Sequence, residues 1–570
     1  MLKTVQDKSF RKNIYLAIAV LIVFSPNIYY SIISQEIVSP SRKIAFIVFS
    51  IGLHLIPVVF FAKRIKWFLA VFIPLAFLAP LDMFFIYLYK YPPTNSALRD
   101  VLETNTSEAA EFIQGFRVPA ALTVMAAVVF AAVFIYCLKR MNSAVNTKAA
   151  AGLSLVFVAV TLTTFFTQQH GDENKYVSKT EVFETRIGKA YPIGVITHLT
   201  RFFIERRQLA RHRTAVGNFR YNLKRPQDMS EKEIFILIIG EASRAGNYSI
   251  NGYYRTTTPN MSATSNLISF PNVCAPATVT RMSLPLMLTG TSPADYSSAY
   301  GKPGVITFFK KAGFETHWIS NQIEMGIYDK SVKSVFTEEA GDVTVLNSAK
   351  GDVRDNNIKY DGEIIPPLKK FISESKSNKL FFVLHTIGNH YRYDYRYPNE
   401  FDVFKPSMKG RDDIRINDAF VKDLKINSYD NSVLYVDKFI SDVIKYISSL
   451  DVPAAIVFQA DHGEDIFDDE RNMFGHGNKV VTKYVAHIPF IVWFSDAYVK
   501  SHPNKPAALL SNKDAKLGGG FLFHSLLDMA DISYEDSDLT KSVFSDKLSP
   551  NARDIINPSY KVVDCDKLLN

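Results

Sequence analysis

Residues 234–244 read IFILIIGEASR, an unbroken apolar run that stops at Gly240 and delivers a carboxylate, Glu241. A short, fully apolar run of this kind predicts a strand buried on both faces, and an acid at its end falls on the rim where open α/β folds bind ligands. The pattern recurs far downstream, where residues 454–460 (AAIVFQA) run straight into Asp461-His462-Gly463-Glu464. Two carboxylates and an imidazole at strand ends make a zinc ligand set of Glu241, Asp461 and His462. Between them in the chain lies Thr280, in Thr280-Arg281-Met282-Ser283-Leu284-Pro285, whose hydroxyl a metal could activate. These residues together predict metal-dependent group transfer.

Outward from these strands, the chain from residue 232 alternates short apolar segments with helical ones, the pattern of an α/β fold with a largely parallel sheet. Strands are expected at 234–240, 315–320, 379–385, 454–460 and 488–494, and helices at 305–312, 429–450 and 521–530. No internal repeat or low-complexity segment interrupts them. The soluble domain is therefore read as residues 220–570.

The whole chain, 570 residues with a formal charge of +9, is too long for one ordinary domain. Its apolar residues are unevenly spread. Five apolar stretches of about 20 residues, the length a helix needs to cross a bilayer, fall at 13–33, 43–62, 67–89, 119–138 and 149–167. The first is too long for an ordinary signal peptide and lacks a small-residue cleavage site, so it is expected to stay as an anchor. Lys3, Lys8, Arg11 and Lys12 before the first stretch, Lys63, Arg64 and Lys66 after the second, and Lys139, Arg140 and Lys148 after the fourth belong on the cytoplasmic side. The acidic loop after the third, with Asp100, Glu103, Glu108 and Glu111, belongs outside, and five spans (residues 1–168) leave the rest of the chain on the outer face.

Residues 169–219 are a linker. Within it, 191–213 (YPIGVITHLTRFFIERRQLARHR) sets Ile196, Leu199, Phe202 and Phe203 roughly on one helical face, with Arg201, Arg206, Arg207, Arg211 and Arg213 elsewhere. Two readings stay open: a basic amphipathic helix on an anionic membrane surface, or a linker helix packed on the soluble domain. Nucleic acid is not an expected partner on the outer face. Of three cysteines, Cys137 ends a span, which leaves Cys274 and Cys565 for one disulfide and excludes a disulfide framework.

Gly240-Glu241-Ala242-Ser243-Arg244 with Asn251-Gly252-Tyr253, Thr280-x-x-Ser283-x-Pro285, His385-x-x-Gly388-Asn389-His390, Tyr429-Asp430-Asn431, Asp461-His462-Gly463-Glu464 and Gly475-His476-Gly477 resemble, in order and spacing, the membrane phosphoethanolamine transferases of the alkaline phosphatase and sulfatase superfamily. The resemblance covers nearly the whole chain. It implies a multi-domain protein: a five-helix transmembrane domain, then an α/β alkaline-phosphatase-like (sulfatase-like) domain in the periplasm, anchored in a bacterial inner membrane with the N-terminus cytoplasmic. It implies a phosphotransferase, expected to be monomeric, that takes phosphoethanolamine from phosphatidylethanolamine onto Thr280 and passes it to an envelope acceptor. That acceptor is a lipopolysaccharide core, lipid A or a periplasmic glucan; the scarcity of disulfides leans toward core or glycan.

By the same resemblance Glu241, Thr280, Asp461 and His462 hold the first zinc, and His390, His476 and, less closely matched, His385 bind the phosphoryl group or a second metal. Asp100, Thr104 and Glu108, four residues apart and so on one helical face, match a route for the lipid. The competing assignments are Thr278 as nucleophile and a phosphoglycerol transferase resembling the lipoteichoic acid synthases, with phosphatidylglycerol as donor and manganese as metal. The chain also departs from its relatives. It lacks their cysteine pair flanking the nucleophile, so the Thr280 loop is expected to be held by packing. Cys274-Ala275-Pro276-Ala277-Thr278 approaches the Cys-x-Pro-x-Arg signature of sulfatases, but Thr278 stands where that signature needs arginine.

Overall fold

The computed structural model describes residues 2–34, 40–55, 61–89, 92–93, 116–141, 188–226, 232–323, 336–347, 359–411, 414, 419–478, 480–549 and 552–569, with isolated positions between 148 and 159. It divides into two compact units, one of Met1–Leu102 with Phe112–Phe203 and a second built chiefly from Ile204–Asn570.

In the first unit, the expected spans 13–33 and 119–138 fall in the long apolar helices Lys12–Ile33 and Arg117–Arg140. The third, expected as one helix over 67–89, is instead a bent pair, Ala62–Ala70 and Ile73–Leu88, that meets at 58°. Pro74 supplies the reason. Its ring would clash with the carbonyl of Ala70 if the helix ran on, whereas it is tolerated in the first turn of a new one. The second expected span is described as Pro40–Leu55. The fifth, 149–167, lies outside the described residues apart from isolated positions, as do Asp100, Thr104 and Glu108. Among the described residues, two helices, or three counting the bent pair, are long and apolar enough to cross a membrane.

The second unit is built on strands β1 (Glu233–Gly240), β2 (Leu267–Cys274), β3 (Glu315–Ile323), β4 (Asp342–Asn347), β5 (Lys379–His385), β6 (Ala454–Ala460), β7 (Asp465–Ile466), β8 (Phe474–Gly475), β9 (His487–Phe494), β10 (Asp554–Ile556) and β11 (Val562–Asp564). Seven form one sheet in the order β2-β9-β6-β1-β5-β3-β4, and β7-β8 and β10-β11 are small hairpins. β1, β3, β4, β5 and β6 run parallel, and β9 is antiparallel to β6. The unbroken apolar run of β1 has a direct cause. Phe235, Leu237 and Ile239 enter a core with Val305, Phe309 and Phe523 on one face, while Ile234, Ile236 and Ile238 enter a second core with Val433, Ile440 and Leu368 on the other. All five expected strands are present.

Helices Val305–Lys311 and Phe521–Met529 match expectation, but the helix expected at 429–450 begins earlier, at Lys422, and runs to Ser448. Its polar first turns read as loop in sequence; Lys425, however, is fully buried against the rings of Phe467 and Phe474, at 4.7 and 4.5 Å. The linker segment forms the helix Ile193–Asn218. Its residues from Ile204 on belong to the second unit, where buried His212 bonds through Nδ1 to the Tyr300 carbonyl (2.9 Å) and through Nε2 to Glu339 (3.2 Å). Nearer its start, Ile196 and Phe203 are exposed.

Cys274 and Cys565 are joined in a disulfide. This corrects the expectation that packing alone holds the Thr280 loop, because the crosslink ties the end of β2, where that loop begins, to the C-terminal segment. Separation along the chain hid the pairing. Replacing both cysteines by serine should destabilise the protein by roughly 2–4 kcal/mol. A denaturation midpoint unchanged by the double substitution, or by reductant, would show that the crosslink constrains nothing.

Candidate functional site

The register of β1 on β6 pairs Gly240 with Ala460, so the next residue on each strand, Glu241 and Asp461, emerges at the same edge of the sheet. The Asp461 amide donates to the Gly240 carbonyl (3.0 Å), and Asp461 Oδ1 accepts from the amides of Ala242 (3.2 Å) and His462 (2.8 Å). Glu241, Asp461 and His462 are all buried, and one ligand atom from each lies within 4.8 Å of the others. His462 Nδ1 donates to the Gly463 carbonyl (2.8 Å), which leaves the Nε2 lone pair facing both carboxylates, at 3.5 Å from Glu241 Oε1 and 3.4 Å from Asp461 Oδ2. Burial, with the neighbouring His476, pushes the His462 pKa down to about 4 and so keeps its ring neutral.

Thr280 opens the helix Thr280–Thr289. Its Oγ1 donates toward Glu241 Oε2 (3.1 Å) and lies 3.3 Å from His462 Nε2. At this place the positive end of the helix favours an anion. Ser283, singled out by its spacing, donates from Oγ to the Ala277 carbonyl (3.1 Å) and closes the loop into the helix. The rival Thr278 stands elsewhere. Its Oγ1 is buried without a hydrogen bond among the described residues, and its carbonyl accepts from the Gly477 amide (3.1 Å), tying the Thr280 loop to the His476 loop.

Glu241 belongs to a second group with His390 and His476, again within 4.8 Å. The His476 ring lies 4.1 Å from that of His462 and 5.9 Å from that of His390. Burial alone would lower the pKa of His476, but the Glu464 carboxylate at 3.1 Å, with Glu241 and Asp461, lifts it to about 9. A protonated imidazole at this edge favours an anionic ligand. His385 is not brought into either group: it ends β5 fully buried, with its ring edge-to-face on Trp318 at 5.6 Å.

The remaining motif residues are scaffold. Tyr429 donates from its hydroxyl to the Ala242 carbonyl (2.7 Å) and accepts from the Arg244 amide (2.9 Å), which holds the turn after Glu241, where Ala242 has φ +52°. Asp430 accepts from Asn247 (2.7 Å), Tyr253 (2.9 Å) and Arg255 (2.8 Å). Gly388 has φ +45°, and a Cβ there would lie 2.9 Å from the Glu241 carbonyl oxygen, so only glycine lets this loop close on Glu241. Gly463 is as tightly constrained, since a Cβ would meet the Tyr484 carbonyl at 2.1 Å.

Two site residues escaped the sequence reading, and the role of a third did. Gln322 donates from Nε2 to Glu241 Oε2 (3.1 Å) and to the Thr386 carbonyl (2.7 Å); it lies just beyond 320, where the expected strand stopped, because β3 continues to Ile323. Asp361, buried, accepts from the amides of Ile387 (2.9 Å) and Gly388 (3.0 Å), and no motif marks it. Glu464 was visible inside Asp461-His462-Gly463-Glu464, but its ion pair with His476 was not.

The donor set fits a divalent cation. Asp461 Oδ2 is buried without a hydrogen bond among the described residues and points into the same space as His462 Nε2 and Glu241. Two carboxylates and a neutral imidazole with one hydroxyl match zinc in number and type.

Phosphoethanolamine transferase EptC of Escherichia coli K12 is 28% identical over 540 residues, covering 91% of this chain and 89% of that protein. The zinc complex of the C-terminal periplasmic domain of Escherichia coli EptC superposes with a TM-score of 0.55 at 27% identity, over 61% of this chain and 96% of that one. The integral membrane lipooligosaccharide phosphoethanolamine transferase A (EptA) of Neisseria meningitidis has the same fold over 92% of this chain and 97% of its own, with a TM-score of 0.66 at 21% identity. The sulfatase family model matches residues 233–532, from the first strand of the sheet past its last, and the chain belongs to that family.

Proposed function

We infer that this chain is a membrane phosphoethanolamine transferase that uses Thr280 as its nucleophile and zinc as its metal. One observation carries the reading: Thr280 Oγ1, at a helix N-terminus, lies 3.1 Å from Glu241 and 3.3 Å from His462, inside the group of ligands that also includes Asp461. Full-length relatives named phosphoethanolamine transferases support it.

Glu241, Asp461 and His462, with Thr280 as the fourth ligand, would hold one zinc; His390 and His476, which share Glu241, would bind the phosphoryl group or a second metal. Zinc bound there supplies Lewis-acid stabilisation of a hydroxyl's conjugate base. Thr280 Oγ1 attacks the phosphorus of phosphatidylethanolamine. The bond from phosphorus to the glycerol oxygen breaks, diacylglycerol leaves carrying the proton, and phosphoethanolamine remains esterified to Thr280. The start of the Thr280 helix and the ring of His476 would stabilise the charge that grows on the phosphoryl oxygens. A hydroxyl or phosphate oxygen of an envelope acceptor then attacks the same phosphorus and returns the hydroxyl to Thr280. The acceptor class is a lipopolysaccharide core, lipid A or a periplasmic glucan. The chain would cross the bacterial inner membrane five times with the second unit in the periplasm, and Asp100, Thr104 and Glu108 would line the route of the lipid.

Thr280→Ala should abolish transfer and Thr280→Ser should retain part of it, because the hydroxyl survives. Trapped enzyme should carry one phosphoethanolamine mass on the peptide containing Thr280; normal transfer by Thr280→Ala, or that mass on Thr278, would remove the nucleophile assignment.

Chelation should abolish activity and zinc should restore it, with Glu241→Gln, Asp461→Asn and His462→Ala each lowering bound zinc in elemental analysis. Better recovery with manganese, and phosphatidylglycerol as donor, would favour phosphoglycerol transfer instead.

A further inference from the structure

Asp82 lies within the apolar helix Ile73–Tyr89, and its side chain is almost wholly buried. A carboxylate in a membrane-crossing segment is costly, and such residues persist where they face a cavity and meet a cation or proton. Among the described residues Asp82 forms no hydrogen bond or ion pair, and it lines a cavity. Leu81 and Phe85 make an apolar wall, while Lys189, Tyr191 and His198 bring cationic and polar groups to the same space.

The wall carrying these polar groups is held in place. Asn27 Nδ2 donates to the Tyr191 carbonyl (2.7 Å), the Tyr191 amide donates back to Asn27 Oδ1 (2.9 Å), and the Tyr191 hydroxyl bonds to the Leu75 carbonyl. His198 Nε2 meets the Gly188 carbonyl at 3.2 Å. The cavity thus combines a buried carboxyl group, a lysine, a histidine and an apolar wall within the first unit itself. A ligand matching them has an ammonium group, a phosphate and hydrocarbon close together.

We propose that this cavity is a headgroup site for an ammonium-bearing phospholipid, phosphatidylethanolamine, in which Asp82 receives the ammonium and Lys189 and His198 face the phosphate. The choice of lipid rests on the donor assigned above; the site itself rests on Asp82 and its cavity. A primary ammonium donates hydrogen bonds to a carboxylate, a trimethylammonium headgroup has no N–H to donate, and phosphatidylglycerol has no cation. Asp82 is therefore a specificity-determining residue that selects among headgroups.

The test uses the full chain in lipid nanodiscs with Thr280→Ala, so that turnover does not consume the lipid, and native mass spectrometry to count retained phosphatidylethanolamine, phosphatidylcholine and phosphatidylglycerol. The parent should retain phosphatidylethanolamine preferentially. Asp82→Asn, nearly isosteric, should reduce that preference by about tenfold, as expected for loss of one charge-assisted hydrogen bond, while Asp82→Glu should keep most of it. In chains with Thr280 intact, Asp82→Asn should raise the mole fraction of phosphatidylethanolamine needed for half-maximal transfer more than it lowers the maximal rate. Unchanged preference in Asp82→Asn, or equal retention of the three lipids by the parent, overturns the proposal. Retention is read without turnover, so failure of transfer counts against the proposed function and failure of selective retention counts against the headgroup site.

Discussion

Two carboxylates buried side by side are the constraint on which the second unit turns. Because β1 and β6 are parallel and in register, Glu241 and Asp461 leave the sheet together. Two unit charges about 4 Å apart at an effective dielectric of about 20 repel by about 4 kcal/mol, and burial adds to that cost. A cation between them replaces the repulsion by attraction and offsets the cost of burial, so the arrangement makes sense as a metal cradle whose assembly is linked to folding. Much of the neighbouring structure keeps the two acids from turning away. Tyr429 pins the turn after Glu241, Gly388 lets a loop close on its backbone, and Asp361 fixes that loop from the far side.

The parts of this design legible in sequence were those in which one residue type answers one local demand. An apolar run ending in an acid betrays β1 and β6, and the other three strands expected from the alternation of short apolar and helical segments are present as well. β2 and β4 escaped for opposite reasons. β2 is interrupted by Pro271 and its pairing with β9 shifts between Phe270 and Val273, so it lacks a clean period. β4 is an edge strand with Asp342, Val343 and Val345 exposed, so it carries little apolar signal. In the membrane unit hydropathy found the apolar stretches but not the break before Ile73, since it counts Pro74 as one more residue in a window and not as a missing amide.

Within the candidate site, sequence picked out the residues that carry chemistry but not what orients them. Glu241, Thr280, Asp461 and His462 carry chemistry in their residue types. Gln322 and Asp361 do not: an amide or acid in a strand or loop becomes part of the site only when the fold brings it to Glu241 or to the Gly388 loop. The Tyr429-Asp430-Asn431 motif shows the reverse. It was visible as a pattern, and the structure gives it work that spacing could not reveal, since its tyrosine and aspartate bond to the backbone and side chains around residues 242–255.

Membership in the sulfatase family does not carry sulfatase chemistry with it, and the Thr280 loop gives the physical reason. Sulfatases convert a free cysteine in a Cys-x-Pro-x-Arg segment to the nucleophile-bearing residue. Here the cysteine of the nearest match, Cys274, has its sulfur bonded to Cys565, and Thr278 replaces the arginine. The nucleophile proposed here is instead Thr280, six positions on, reached through a loop that the disulfide anchors at one end and the Ser283 to Ala277 hydrogen bond closes at the other. On the reading proposed above, the sheet edge with Glu241 and Asp461 serves a threonine hydroxyl and not a modified cysteine.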